Sequence, residues 1–109
     1  MYAFFWHMFI FQLFAKAQRW ASLTSAQRSS VKAKYAAAGI KLMVTAFGDS
    51  NTPTTSNADP IATANTFAAW VIEYQLDGID VDYEDFQAFN VGNGKAEVRY
   101  LMSICCDAC

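Results

Sequence analysis

Two well-capped helical segments separate three runs of strand-forming residues, and this alternation limits the folds open to the chain. The first segment, TSAQRSSVKAKYAAAG, begins with Thr24, carries Gln27 at capping-box spacing and ends at Gly39, which suits the left-handed position after a helix. The second segment, DPIATANTFAAWVIEYQLDG, begins with Asp59 as N-cap and Pro60 in the first turn. The order strand, helix, strand, helix, strand predicts two βαβ units and a parallel sheet.

The residues between and along these helices predict how they pack. The run IKLMVTAFG at 40–48 is typical of a strand buried on both faces, as parallel strands are. The turn-forming stretch GDSNTPTTSNA at 48–58 predicts a polar loop after that strand. In the second helix, one face is predicted to be buried because apolar residues recur on it at helical spacing: Ile61, Ala64, Ala68 and Val71. A further helix is expected in GKAEVRYLMSICC near the end of the chain.

The opening run, MYAFFWHMFIFQLF, is the most apolar part of the chain and is predicted to form a buried strand. A secretory signal peptide is the alternative, although no basic residue precedes the run and no clear small-residue cleavage site follows it. A membrane span is disfavoured because it needs about 20 apolar residues, whereas His7 and Gln12 interrupt this run before Lys16. Localisation stays open on the sequence.

Charge and cysteine content exclude several function classes. The net charge is −2 and the eight basic residues are scattered, so no patch suited to nucleic acid is expected. Cys105, Cys106 and Cys109 lie together without a nearby His, which falls short of a four-ligand zinc site, and their odd number does not give a closed disulfide framework. They are interpreted as free thiols, and neither a metal nor a cofactor is predicted.

The stretch LDGIDVDYEDF at 76–86 concentrates five acids in an otherwise apolar chain. Strand alternation places Asp80, Asp82 and Glu84 on one face, with strand-forming residues between them. Three carboxylates on one face of a buried strand repel each other and lose hydration, so at least one of them is expected to stay protonated near neutrality. This arrangement favours proton donation in catalysis over a structural role.

The acidic stretch has two other interpretations, a calcium loop and an exposed strand with one charged face. A calcium loop of the form D-x-D-x-D-G needs polar residues between the acids and a glycine after the third, whereas apolar residues stand between them here and Gly78 precedes the run. An exposed strand with one charged face is disfavoured by the buried-strand pattern around it. Among the flanking residues, Tyr83 is predicted to pack, and Asp77 with Gly78 to shape the turn into the strand. Asp85 and Phe86 are expected to line a subsite. For Asp85, a solvated carboxylate is an equal alternative.

The segment DGIDVDYE at 77–84 resembles the D-G-x-D-x-D-x-E signature of family 18 glycoside hydrolases, the chitinases and endo-β-N-acetylglucosaminidases. VTAFG at 44–48 resembles the S-x-G-G segment of the preceding strand in that family, with Thr45 in place of Ser and Phe47 in place of the first Gly. The resemblance implies an α/β fold, a partial (β/α)8 TIM barrel containing about strands 2 to 4 with the intervening helices. Residues 1–109 would then be an incomplete catalytic domain, because a complete barrel takes about 250 residues.

The same resemblance implies a role for each acid on the strand. Glu84 would be the general acid, Asp82 would orient the 2-acetamido group of the substrate, and Asp80 would tune Asp82 from deeper in the barrel. The implied reaction is substrate-assisted, retaining hydrolysis of β-1,4-linked N-acetylglucosamine in chitin or an N-glycan core, with no cofactor and neither nucleic acid nor membrane as partner. The alternative is a non-catalytic truncated remnant or a weak carbohydrate-binding, chitinase-like protein. The family's later strands carry a tyrosine and a tryptophan of the sugar site that this chain lacks, and the tail after Met102 is unlike a continuing barrel helix. Relatives in the family are commonly secreted.

Overall fold

The computed structural model describes residues 2–8, 15–48 and 51–107. This part of the chain alternates strands and helices in the predicted order, with additional short helices near each end. The elements are β1 (Tyr2–Met8), α1 (Ala15–Ala21), α2 (Ser25–Ala37), β2 (Lys41–Phe47), α3 (Pro60–Glu73), β3 (Gly78–Asp82), α4 (Phe86–Asn90) and α5 (Lys95–Asp107). None of the helices in the described ranges is long and apolar enough to cross a membrane.

The three described strands form one parallel sheet with the order β1-β2-β3. Both pairs of neighbouring strands are separated in sequence by helices, so the predicted βαβ order and parallel pairing are confirmed. The partial TIM barrel stays a prediction, because three parallel strands with helical crossovers are common to barrels and to open α/β sheets.

Helix α2 begins and ends as its sequence predicts. The Thr24 hydroxyl accepts a hydrogen bond from the backbone N–H of Gln27 at 3.2 Å, and the Gln27 side chain accepts one from the backbone N–H of Thr24 at 2.8 Å. This reciprocal pair satisfies two donors that the first turn of a helix leaves free. After the helix, Gly39 adopts a φ of 71°, the left-handed conformation in which glycine carries no Cβ penalty.

Helix α3 is capped as predicted, but its buried face differs from the predicted one. The Asp59 carboxylate accepts hydrogen bonds from the backbone N–H groups of Ile61 and Ala62, both at 2.9 Å. Ile61 itself is half exposed, so its predicted burial is wrong. It lies in the first turn, whereas the buried residues begin two positions later: Thr63, Ala64, Phe67 and Val71.

The core lies between the sheet and its helices. Its buried apolar residues come from α1, β2, α3 and β3 and the turn before β3: Trp20, Leu42, Val44, Ala46, Phe47, Ala64, Phe67, Val71, Leu76 and Ile79. Trp20 lies on α1, a helix that was not predicted from the sequence, and its indole N–H donates to the carbonyl of Tyr74 at 2.8 Å. This bond ties α1 to the end of α3.

The two ends of the chain are described only in part. β1 confirms a strand over Tyr2–Met8, while residues 9–14 of the apolar opening run lie outside the described residues, and so the predicted burial of that strand stays a prediction. The helix expected near the C-terminus is α5, which continues past Met102 to Asp107 and includes Cys105 and Cys106. Cys109 lies outside the described part.

Candidate active site at the carboxyl ends of β2 and β3

The acidic strand β3 ends at Asp82, two residues earlier than the predicted strand. Asp80 pairs in register with Thr45 of β2, and Asp82 pairs with Phe47, the last residue of β2. Glu84 therefore lies in the connection between β3 and α4, just beyond the carboxyl edge of the sheet. Ligands bind at this edge in parallel α/β structures, so all three predicted catalytic acids are near the expected place.

Asp80 is held by a neighbour on β2. The Thr45 hydroxyl donates a hydrogen bond to the Asp80 carboxylate at 3.3 Å, and Thr45 itself is buried. Since the side chain of Asp80 is half-buried, this bond fixes its orientation on the acidic face of the strand. The resemblance implies a serine at position 45, and the Thr45 hydroxyl provides the same kind of donor as a serine hydroxyl.

Asp82 and Glu84 are also half-buried, and backbone hydrogen bonds fix their positions. The carbonyl of Asp82 accepts a hydrogen bond from the N–H of Gly48 at 2.9 Å, which joins the ends of β2 and β3. The carbonyl of Glu84 accepts one from the N–H of Phe86 at 2.8 Å, at the start of α4. The alternative of an exposed strand with one charged face is wrong, because Ile79 of β3 is buried in the core. In the described ranges, no group of three His, Cys, Asp or Glu side chains is arranged to hold a metal ion.

The turn that follows β2 is conformationally strained. Phe47 has a φ of 75° and Gly48 a φ of 116°, and a positive φ is costly for a bulky residue such as Phe. The Phe47 ring packs edge to face against Phe67 of α3 at 5.6 Å and against Tyr83 at 6.0 Å, measured between ring centroids. Strand alternation alone would place it on the face of Thr45 and Asp80, so the positive φ turns the ring towards the helices. Glycine adopts this φ without strain, and glycine is the residue that the resemblance implies at position 47.

Tyr83 packs on the helix side, as predicted from its place in the alternation. Its hydroxyl lies 2.7 Å from the hydroxyl of Thr54 and forms a hydrogen bond with it. Its ring lies against the backbone of Gly94, where an added Cβ would clash with the tyrosine oxygen. Tyr83 thus connects the loop after β2 to the turn before α5.

Asp85 is neither solvated nor part of a subsite, and both interpretations of it from sequence are wrong. Its side chain is fully buried and accepts hydrogen bonds from the Thr55 N–H at 2.7 Å, the Thr55 hydroxyl at 2.6 Å and the Ala88 N–H at 3.3 Å. Burial disfavours the charged carboxylate, but these hydrogen bonds outweigh it and hold the pKa of Asp85 below its ordinary value. The carboxylate therefore caps α4 and anchors the loop after β2.

These contacts place the polar loop after β2 beside the segment that carries Glu84. Thr54 and Thr55 meet Tyr83 and Asp85, which flank Glu84 on either side. Neither threonine can be identified as an anchoring residue from the sequence, since the loop contains several threonines and serines and nothing in their order distinguishes these two.

Asp77 lies at the opposite end of β3 and has the structural role predicted for it. Its carboxylate accepts a hydrogen bond from the Leu42 N–H at 2.8 Å and forms an ion pair with Lys32 at 2.9 Å. Burial raises the pKa of this carboxyl, while the contacts with Lys32 and Leu42 lower it by more, so that the pKa lies below its ordinary value. Asp77 thereby fixes the turn into β3 next to Gly78.

A pocket of about 660 Å³ opens beside β3, on the helix side of the sheet. Val81 and Tyr83 form its floor, and Phe89, Val98 and Met102 form apolar walls from α4 and α5. A second pocket of about 410 Å³ adjoins it between the loop after β2 and the start of α5, and has a more polar lining that includes Asn57 and Asn93. Both pockets border the residues that position Tyr83, and neither includes the three predicted catalytic acids among its lining residues.

No protein-family model, curated protein or solved structure matches the chain.

Proposed function

We propose that the chain carries the catalytic acids of a glycoside hydrolase that cleaves β-1,4-linked N-acetylglucosamine in chitin or an N-glycan core. The observation that carries the proposal is the position of the DGIDVDYE segment. Its three alternating acids, Asp80, Asp82 and Glu84, run along β3 to the carboxyl edge of a parallel sheet. This is the edge at which α/β enzymes place their reacting groups.

The proposed mechanism uses the acetamido group of the substrate as its nucleophile. Glu84, in its neutral form, donates a proton to the glycosidic oxygen as the bond to the anomeric carbon breaks. The carbonyl oxygen of the 2-acetamido group attacks the anomeric carbon and forms a cyclic oxazolinium ion. Water then attacks the same carbon from the face the leaving group vacated and gives its proton to Glu84. The bond between that carbon and the acetamido oxygen breaks, which restores the acetamido group, and the configuration is retained.

Asp82 and Asp80 support that step without bonding to the sugar carbon. Asp82 orients the acetamido N–H and its negative charge stabilises the positive oxazolinium ion. Asp80 lies two residues earlier on the strand, roughly 6.5 Å away at the Cα atoms, and Thr45 holds its carboxylate in place. A second catalytic carboxylate is not needed, because the substrate supplies the nucleophile.

Carbohydrate binding without turnover is the second candidate function. It is favoured by the edge position of β3, which pairs with β2 on one side and has no strand on its other side in the described part of the chain. No further described strand therefore forms a wall of the sugar site beyond Asp82. A site that is open on that side can bind a glycan without surrounding the bond to be cleaved.

Replacement of Glu84 by Gln tests the two candidates against each other. For the hydrolase, we expect Glu84→Gln to lower the rate of release of short products from an N-acetylglucosamine tetramer by at least about 100-fold, the lower range for loss of a general acid. The amide keeps the size of the side chain but has no acidic proton to give. Product release is measured by chromatography over time, and sugar binding by calorimetry.

Glu73→Gln is the matched control, because Glu73 is an exposed glutamate on α3. An unchanged rate in Glu84→Gln overturns the role of Glu84. Binding of the tetramer without hydrolysis by the unaltered chain supports the second candidate, and the absence of both overturns both candidates.

A further inference from the structure

The larger of the two pockets beside β3, of about 660 Å³, presents apolar side chains to solvent. Val81 and Tyr83 on its floor are only half-buried. Phe89 and Met102 on its walls are 67% and 53% exposed. Pockets that bind small molecules have volumes of about 300–1,000 Å³ and mostly apolar linings. Exposed apolar side chains gathered around a concave space of this size are typical of a ligand-binding site.

The floor of this pocket makes no demand for a polar group. The Tyr83 hydroxyl, its polar end, already forms a hydrogen bond with the hydroxyl of Thr54 at 2.7 Å. Because that hydroxyl has its partner inside the protein, a ligand lying on the ring does not have to supply one. An apolar chain therefore suits the floor better than a sugar, whose hydroxyl groups would lose their hydrogen bonds to water there.

Two cations stand at the mouth of the same pocket. Four of its lining residues recur at helical spacing and share one face of α5: Lys95, Val98, Arg99 and Met102. Lys95 and Arg99 are exposed, and neither forms an ion pair with an acid among the described side chains. Like charges four residues apart on a helix repel each other. An anion bound between the two side chains would relieve that repulsion.

The second pocket, of about 410 Å³, places polar surroundings next to these cations. It adjoins the first, and the two share four lining residues: Gly92, Asn93, Gly94 and Lys95. Thr54 and Asn57 also line it. Lys95 therefore lies at a junction, with apolar space on one side and polar space on the other. A molecule that has an apolar tail and an anionic head matches this division.

We infer that the pocket beside β3 binds a free fatty acid, with its unbranched tail against Val81 and Tyr83 and its carboxylate between Lys95 and Arg99. A carboxylate is ionised at pH 7 and accepts charge-assisted hydrogen bonds from both cations. The three predicted catalytic acids do not line this pocket, so the inference does not rest on the proposed hydrolysis.

Calorimetry on the full chain at pH 7 tests the inference with three soluble probes, each below its micelle-forming concentration. We expect decanoate to bind with a dissociation constant below about 1 mM. Octanoate should bind about tenfold more weakly, because its tail is two methylene groups shorter. Decyltrimethylammonium has a decyl tail with a positive head, and we expect it to bind at least about tenfold more weakly than decanoate, since both cations repel it.

The double substitution Lys95→Met/Arg99→Met tests the two cations, because methionine keeps an unbranched side chain without the charge. We expect it to weaken decanoate binding about tenfold, near the upper range for two exposed ion pairs. Lys34→Met/Lys41→Met is the matched control, since it removes the same charge from exposed positions outside both pockets. We expect the control to keep its decanoate affinity. Thermal melting followed by circular dichroism checks that both variants fold.

Several results would overturn the inference. One is equal decanoate affinity in Lys95→Met/Arg99→Met and in the unaltered chain, and another is an equal loss in the control. Equal affinity for octanoate and decanoate would show that the tail does not enter the apolar pocket. If the double variant does not fold, the comparison with decyltrimethylammonium decides, and equal affinity for the two decyl probes overturns the inference. Absence of decanoate binding by the unaltered chain also overturns it, and a dimer in light scattering would then show that a second copy covers the pocket.

Discussion

Asp85 shows how a single buried carboxylate fixes the surroundings of the candidate site. It accepts two hydrogen bonds from Thr55 and one from Ala88, with no exposed surface of its own. Truncation would leave the Thr55 N–H without its partner inside the protein. We expect Asp85→Ala to lower the free energy of unfolding by about 3 kcal/mol, near the upper range for hydrogen bonds to a charged group. Urea denaturation at pH 7 measures this, and Glu73→Ala, at an exposed position, serves as the control.

The same carboxylate predicts how stability depends on pH. The pKa of Asp85 is lower in the folded chain than its ordinary value, so the folded state favours the ionised form. The stabilisation is complete above the pKa of an unfolded aspartate, about 3.9, and is lost as the pH falls through the lower folded value. We therefore expect the stability difference between the unaltered chain and Asp85→Asn to shrink as the pH falls below about 4. The pKa of Asp77 is also lowered, so the comparison with Asp85→Asn is needed to isolate the contribution of Asp85. A difference in stability that does not change with pH would contradict the assignment to Asp85.

Individual residues differ in how far their roles could be predicted from sequence. Asp59 and Thr24 act within one helical turn, so a local pattern identifies them as caps. Asp85 is also a helix cap, but its bonds to Thr55 join residues 30 positions apart, and no local pattern reports them.

On the scale of elements, the turn between α4 and α5 depends on Gly94. It has a φ of 89°, and the Tyr83 ring occupies the place of a Cβ. Gly94→Ala must displace Tyr83 from its hydrogen bond with Thr54, in addition to straining the backbone. We expect a loss of roughly 2–4 kcal/mol in the free energy of unfolding, typical of a severe local clash.

Gly92→Ala is the control for that substitution. Gly92 has a φ of 78° with nothing within 4 Å of its added Cβ, so only backbone strain of about 1 kcal/mol is expected there. Denaturant unfolding of both variants measures the difference. Equal losses would show that the Tyr83 contact contributes nothing.

The type and order of the helices and strands could largely be predicted from the sequence, whereas the residues at which they begin and end were less predictable. Capping and periodicity located α2 and α3, and a short apolar run located β2. The strand predicted over 78–84 ends at Asp82 in the structure. The alternation of acidic and strand-forming residues continues in the sequence past Asp82, but the pairing of β3 with β2 stops at Phe47. Ile61 matched the helical period but lies in the first turn of α3, where the helix is exposed.

On the scale of the whole molecule, one apolar cluster connects the sheet to α1 and α3. Because these residues share a single core, we expect a single cooperative thermal transition. The near-ultraviolet circular dichroism of Trp20 and Trp70 should disappear together with the helical signal. Trp20→Phe, which removes the bond to the Tyr74 carbonyl, should lower the melting temperature. Gradual, separate loss of the two signals would contradict a shared core.

The anchoring of the loop after β2 by a buried acid decides which of its positions can be varied. Asp85 holds the loop through the backbone N–H and the hydroxyl of Thr55, while the side chain of Thr52 is exposed. Ser56 and Asn57 are also exposed, but the Ser56 hydroxyl bonds two carbonyls of the loop and Asn57 has a φ of 61°. Under the proposed function, position 52 is therefore the place in this loop where directed evolution could vary glycan preference at the least cost in stability.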